Sequence, residues 1–132
     1  MSLLPHLHRD LMQTVAADHG GVGSISVYRA FGPPHAGVGQ GRDDAADDDA
    51  RVVHIDLVVV PAGCSIGEHR HGADRETYVV LSGEAQMRRG DELLRVQTGD
   101  VIVNPPFCVH SLTNDSLDEV HLLVYEIAPV TR

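Results

Sequence analysis

From residue 52 onwards the sequence consists of short apolar segments that alternate with turn residues, and this spacing constrains the fold more than any other feature. The segments are rich in Val, Ile, Leu and Thr, and the Gly, Pro and Asp residues between them favour reversal of the chain. We predict strands over residues 52–60, 76–82, 85–88, 93–96, 101–104, 108–113 and 120–127. Many short strands in a chain of 132 residues predict an all-β sandwich or barrel.

The first 50 residues carry a different pattern. Apolar residues at helical spacing predict a short N-terminal helix that ends at Gly20-Gly21; they are Leu3, Leu4, Leu7, Leu11 and Val15. Residues 25–31 have the content of a strand, and residues 32–50, rich in Gly, Pro and Asp, are predicted to form a loop. We expect one domain, in which residues 1–50 add a helix, a strand and a loop to a barrel formed by residues 51–132.

The aspartates between residues 43 and 49 are interpreted as a solvated part of the predicted loop. A calcium loop would need alternating ligands and a closing glutamate, which this run lacks. The run contributes to a formal net charge of −9 with neutral histidines. This charge repels the phosphate backbone, so we expect no nucleic-acid partner.

Hydropathy and cysteine content suggest where the protein works. No apolar run approaches the roughly 20 residues of a membrane span, and the N-terminus lacks the pattern of a signal peptide. We therefore expect no membrane association and a cytoplasmic location. The two cysteines, Cys64 and Cys108, are expected to be free thiols, as is usual in a reducing compartment.

Alternation along the predicted strands places ionisable side chains inside the barrel. Glu76, Tyr78 and Val80 share one face of their strand, so Glu76 points inward if Val80 does. A buried carboxylate is costly unless it is paired or binds a metal. His69 and His71 project to the same side of an extended segment and can reach one ion. His110, on another strand, supplies a fourth candidate ligand if the barrel brings it alongside.

These residues stand at the spacing of two known motifs. The first, G-x5-H-x-H-x4-E-x6-G, is matched at every fixed position, by Gly63, His69, His71, Glu76 and Gly83. The second, G-x5-P-x-G-x2-H-x3-N, is matched by Gly99, Pro105, His110 and Asn114, with Phe107 in place of the central glycine. Phenylalanine tolerates positive φ poorly, so the geometry of this turn can depart from that of the motif. The two motifs are those of the cupin family, which the chain resembles over roughly residues 52–127.

The resemblance implies a small double-stranded β-helix barrel with a metal ion in its mouth. His69, His71, Glu76 and His110 would hold one divalent transition metal per chain, for which Fe, Mn, Ni, Co, Cu and Zn all suit a mixed N/O ligand set. One carboxylate leaves a divalent ion with a formal charge of +1 and open positions. We therefore expect a small-molecule ligand or substrate that is anionic or chelating.

Three function classes remain open. The first is a metal-dependent enzyme acting on a small oxygen-rich or carbonyl-bearing metabolite, as a dioxygenase, isomerase, decarboxylase or cyclase. The second is a non-catalytic barrel that binds or senses a small molecule, and the third is a structural barrel. Small cupins resemble one another in pairing through sheet edges, so we expect a homodimer, with the strand over residues 25–31 as a candidate to extend a neighbour's sheet.

Three further residues are candidate catalytic groups. Tyr78 shares the inward face of Glu76, whereas Tyr125 and His121 share one face of the last predicted strand and could line the same cavity. Packing explains each of the three equally well. The remaining histidines are interpreted as solvated or structural; they are His6, His8, His19, His35, His54 and His121.

Three residues close to the motif histidines have two interpretations each. Cys108 shares the parity of His110 and is interpreted as a packed residue in preference to a soft ligand. Glu68 and Asp74 could hold the histidines as hydrogen-bond acceptors or could be exposed loop charges.

Overall fold

The computed structural model describes residues 11–33 and 50–129, and within these ranges the chain consists mostly of β-strands. A 3₁₀ turn, Asp18–Gly20, separates the first two strands. The strands are β1 (Gln13–Ala16), β2 (Ser24–Phe31), β3 (Ala50–Val60), β4 (Ser65–Arg70), β5 (Arg75–Ser82), β6 (Glu84–Arg89), β7 (Glu92–Gln97), β8 (Val101–Asn104), β9 (Val109–Thr113) and β10 (Val120–Pro129).

The strands form two antiparallel sheets that enclose the core. One sheet has the order β1-β2-β3-β10-β5-β8 and the other the order β4-β9-β6-β7. Apolar side chains from both sheets are almost fully buried between them, among them Val60, Val80, Met87, Leu112 and Leu122. Each such side chain stabilises the fold by about 1.5–3 kcal/mol relative to its exposed state. The all-β, double-stranded β-helix prediction is confirmed.

The predicted N-terminal helix is not seen in the described residues. Leu3, Leu4 and Leu7 lie outside the described residues, but the rest of the predicted helix is replaced by strand β1 and the 3₁₀ turn. β1 pairs with β2, and Val15 packs against the core. Pairing with an existing sheet satisfies backbone groups that a short isolated helix leaves to water, and it overrides the local periodicity. The predicted loop over residues 32–50 also lies mostly outside the described residues, including its aspartates.

Strand β4 has no counterpart among the predicted strands. Its residues include Gly67, Glu68 and Arg70, which have low strand propensity. Pairing with β9 creates the strand, and the register shifts between Ile66 and His69. This bulge lets both Ile66 and His69 face inward although they are three residues apart.

Strand β2 pairs with β3 on one side, and on the other side β1 covers only Ser24–Val27. The suggested role of residues 25–31 in dimerisation stays a prediction. β1 and β8 stand at the edges of the larger sheet in the described part of the chain. Within residues 11–33 and 50–129 we find no helix with the length and apolarity needed to cross a bilayer.

Candidate metal centre

The four predicted ligands come from three strands and both sheets. His69 lies on β4, His71 directly follows it, and Glu76 lies on β5, across a turn that contains Gly72. His110 lies on β9 opposite His69, as its register partner. Glu76 and His110 are buried, and the side chains of His69 and His71 are each 12% exposed, so the cluster sits just below the surface.

One potential ligand atom from each of these side chains points to a common centre. Nε2 of His110 lies 2.8 Å from Nε2 of His69 and 3.0 Å from Nε2 of His71. Oε1 of Glu76 lies 3.2 Å from Nε2 of both His71 and His110, and 3.8 Å from Nε2 of His69. Two ligand atoms that are each about 2.1 Å from one ion lie about 3.0 Å apart when the ligand–metal–ligand angle is a right angle. They lie about 4.2 Å apart when they are on opposite sides of the ion. The four atoms fit that range.

Hydrogen bonds on the far side of two imidazoles support this arrangement. Nδ1 of His69 donates to the carbonyl of Gly67 at 2.9 Å, and Nδ1 of His71 lies 3.0 Å from Oε1 of Glu126. With Nδ1 protonated, a neutral imidazole presents a lone pair at Nε2. If the imidazoles are neutral and carry their proton on Nδ1, the contacts between the Nε2 atoms have no proton to share. One cation at the centre would instead be bound by all three Nε2 atoms and by the carboxylate of Glu76. The donor set fits a divalent metal ion.

The electrostatics of the cluster favour the metal-binding forms of Glu76 and His110. Burial alone raises the pKa of Glu76, but contacts with His110, His69 and His71 outweigh it and hold this pKa well below its ordinary value. Burial lowers the pKa of His110, which favours its neutral form. An ionised carboxylate and a neutral imidazole are the species that bind metals.

A cavity of about 230 Å³ opens beside the cluster and is lined by His69, His71 and Glu76. Tyr78 also lines it, on the inward face of β5, and burial raises the pKa of this hydroxyl well above its ordinary value. Tyr125 and His121 do not line it, because they lie on the face of β10 opposite to Val124. The structure thus brings one of the three candidate catalytic residues to the cavity.

Glu126 was missed from the sequence, and His54 was interpreted there as solvated or structural. Both line the cavity, and Nε2 of His54 lies 3.1 Å from Oε2 of Glu126. The alternation of side chains along the strands places both residues inside. Glu126 lies two residues after the inward-facing Val124 on β10, and His54 lies four residues before the inward-facing Val58 on β3. His54, which the sequence suggested to be solvated or structural, thus lines the cavity among ionisable neighbours.

The residues that flank the motif histidines separate into two environments. Oδ2 of Asp74 lies 3.7 Å from Nδ1 of His71, whereas Glu68 is exposed. Cys108 lines a different surface cavity, together with Arg75, and does not belong to a described cluster of potential metal ligands. Its interpretation as a packing residue stays a prediction.

The N-terminal segment contributes a wall to the cavity. Asp18 and His19 both line it, and the ring of His19 stacks on that of His69 with the centroids 3.8 Å apart. The backbone allows this because Gly67 has no side chain: a Cβ there would stand 2.1 Å from the carbonyl oxygen of His19. The predicted ligand His69 is thus covered by a residue from outside the two motifs.

Comparison with known proteins agrees with this architecture. A family model for the cupin domain matches residues 56–126, and no curated protein matches the chain. A predicted oxalate decarboxylase from Thermotoga maritima has a TM-score of 0.72 at 18% identity, over 90% of this chain and 92% of that chain. KdgF from Halomonas sp. has a TM-score of 0.60 at 16% identity, over 93% and 91%. A cupin 2 conserved barrel domain protein from Salinispora arenicola has a TM-score of 0.58 at 20% identity, over 77% and 74%.

Proposed function

The chain belongs to the cupin family, whose domain matches residues 56–126, and we propose that it is a metal-dependent enzyme acting on a small oxygen-rich or carbonyl-bearing metabolite. His69, His71, Glu76 and His110 would hold one divalent transition metal. The observation that carries the proposal is the convergence of three Nε2 atoms and one carboxylate oxygen beside a cavity of about 230 Å³.

When bound, the metal would supply Lewis acidity to a chelating carbonyl or hydroxyl oxygen, or a binding position for dioxygen. The residues that line the cavity would orient the bound small molecule and exclude water from it. Tyr78 places a buried hydroxyl at the wall, and Val58 and Val124 keep the adjoining surface apolar. A ligand that bridges the metal and these walls would be held in one orientation. Dioxygenase, isomerase, decarboxylase and cyclase activities all remain compatible with this site.

The metal is tested by elemental analysis of untagged protein purified without chelators. We expect at least one equivalent of a transition metal per chain, and the loss of one equivalent in a His69→Ala, His71→Ala double variant. A His121→Ala variant is the matched control, because His121 is also buried but lies outside the cluster. Equal metal content in all three proteins would contradict the ligand assignment.

Catalysis is tested separately from metal binding. Metal-loaded protein is screened against diketones, keto acids, oxalate, phenols and uronates, with oxygen uptake and product formation recorded. Turnover that is lost in the double variant supports the enzyme. Thermal stabilisation by a compound that is recovered unchanged would instead support a non-catalytic binding barrel, which the same cavity could serve.

We also propose a homodimer. The edges of the larger sheet in the described part of the chain are β1 and β8, and β8 exposes Val101 and Val103. An edge with exposed valines is suited to pairing with a second copy. Light scattering at assay concentration should return twice the mass of the chain, and a monomer would contradict this expectation.

A further inference from the structure

The carboxylate of Glu76 faces a second group of potential ligands on the side away from the motif histidines. Oε1 of Glu76 is directed to Nε2 of His71 and His110, whereas Oε2 lies 3.7 Å from Nε2 of His54. Nε2 of His54 is also 3.1 Å from Oε2 of Glu126. The two oxygens of Glu76 thus point into two separate clusters and do not compete for one position.

We propose that His54, Glu76 and Glu126 form a second divalent-cation site, adjacent to the first and bridged to it by Glu76. Nε2 of His54 faces Oε2 of both glutamates, and the three residues each offer one ligand atom within 4.8 Å of the others. Because the second site uses the free oxygen of a proposed ligand, it rests on the proposed function. Bridging carboxylates are a usual feature of paired metal sites.

The orientation of His54 repeats that of the first-site histidines. Its Nδ1 atom is buried, makes no hydrogen bond in the described structure and faces Oδ2 of Asp56 at 3.5 Å. A proton on Nδ1 directed at Asp56 leaves the lone pair on Nε2, where the two glutamates lie. Carboxylate–histidine–metal arrangements of this kind fix the tautomer of a ligand. Asp56 is itself held by Arg29, whose Nη2 donates to Oδ2 at 3.0 Å.

The negative charge of the cavity wall also favours a second bound cation. Four carboxylates line the cavity in the described part of the chain; they belong to Asp18, Asp56, Glu76 and Glu126. Arg29 is the arginine among the lining residues, and its guanidinium is bonded to Asp56 through two nitrogens. Buried carboxylates without a compensating charge are unstable. One divalent ion on Glu76 leaves Glu126 without a full counter-charge, and a second cation supplies it.

Glu126 is placed to serve both sites with different atoms. Its Oε1 accepts from Nδ1 of His71, and its Oε2 faces His54. The carboxylate of Asp74 also lies close to Glu126: these two groups and His71 offer potential ligand atoms that all lie within 4.8 Å of one another. Two neighbouring carboxyl groups are accommodated by a proton or by a metal ion between or beside them.

The test is the stoichiometry of Mn²⁺ binding, measured by equilibrium dialysis with elemental analysis. We expect two Mn²⁺ per chain in the unmodified protein and one in both His54→Ala and Glu126→Gln variants. Using two variants protects the test against misfolding of one, and far-UV circular dichroism checks each. His121→Ala is the matched control and should retain two ions. Electron paramagnetic resonance should show spin coupling between the two Mn²⁺ ions in the unmodified protein and an uncoupled signal in His54→Ala.

The outcomes separate this inference from the proposed function. One Mn²⁺ per chain in the unmodified protein, unchanged in His54→Ala and lost in the His69→Ala, His71→Ala variant, would overturn the second site and leave the first intact. No Mn²⁺ or other transition metal in any of the proteins would overturn both. Two ions that persist in both His54→Ala and Glu126→Gln would show that the second ion lies elsewhere on the protein.

Discussion

Phe107 has a φ of 63°, in the left-handed region, at the position where the cupin motif has glycine. Its surroundings fix this conformation, because its N–H donates to the carbonyl of Gly72 at 2.8 Å and its own carbonyl accepts from Arg70. The side chain is 62% exposed, so its packing contributes little free energy to offset the backbone strain. The backbone thus holds a left-handed conformation at a cost that a glycine would not have.

A Phe107→Gly variant should therefore raise the free energy of unfolding by about 1 kcal/mol. Relief of the left-handed backbone strain stabilises the folded state, and the greater conformational entropy of glycine in the unfolded chain offsets part of this gain. Urea denaturation of the metal-free protein measures it. Phe107→Ala is the control, since it removes the ring and keeps the strained backbone; it should bring no gain. Equal stability of the two variants would show that backbone strain is not the cause.

His71 gives the metal-free protein a pH dependence. Hydrogen bonds to Glu126 and Glu76 raise its pKa from 6.5 to about 10 in the absence of a metal. A raised pKa in the folded state adds stability that is fully present below pH 6.5 and is lost as the pH rises towards 10. The free energy of unfolding of metal-free protein should thus fall between pH 6.5 and 9 more steeply than that of a His71→Asn variant. Parallel profiles from urea denaturation would contradict this assignment.

At the scale of elements, the contact between β4 and the segment that precedes β2 decides how the first ligand is held. The two backbones approach so closely that a Cβ on Gly67 would meet the carbonyl of His19, and one on Gly21 would meet that of Ser65 at 2.2 Å. Ser65 accepts from the N–H of Val22 through its side chain. The N-terminal segment is therefore part of the metal centre's support.

A Gly67→Ala variant should separate these backbones, reduce the free energy of unfolding by roughly 2 kcal/mol or more, and weaken the stacking of His19 on His69. Gly72→Ala is a matched control, because the nearest heavy atom to a Cβ there is 4.0 Å away. Thermal unfolding followed by circular dichroism measures both. If the two variants are equally stable, the close approach does not constrain the fold.

At the scale of the whole molecule, the proposed metal connects the two sheets. Glu76 belongs to the larger sheet, and His69 and His110 belong to the smaller one. An ion that binds only the folded chain stabilises it by about 4 kcal/mol at a concentration 1,000 times its dissociation constant. The barrel should be measurably less stable when the ion is removed.

Addition of a chelator should accordingly lower the melting temperature by roughly 10 °C or more, and restoring the metal should reverse the change. Differential scanning calorimetry is the measurement. The His69→Ala, His71→Ala variant provides the control, since its melting temperature should respond to either treatment less than that of the unmodified protein. A chelator effect of the same size in this variant would place the stabilising ion outside the proposed site.

The sequence alone determined the barrel and the inward direction of Glu76. Alternation on a strand has a period of two, so Val80, Tyr78 and Glu76 had to share a face, and turn residues marked where the predicted strands ended. The same parity argument applied to β10 and β3 would have placed Glu126 and His54 inside. These properties depend on local geometry, which the sequence specifies directly.

Only the tertiary structure decided which inward groups meet. β4 exists because β9 pairs with it, and β1 replaces a predicted helix because β2 offers it a sheet edge. The approach of His54 to Glu126 depends on the register between β3 and β10, in which the two are partners, 72 positions apart in the chain. Strand pairing across such distances is set by the packing of the whole core, so no local pattern could specify it.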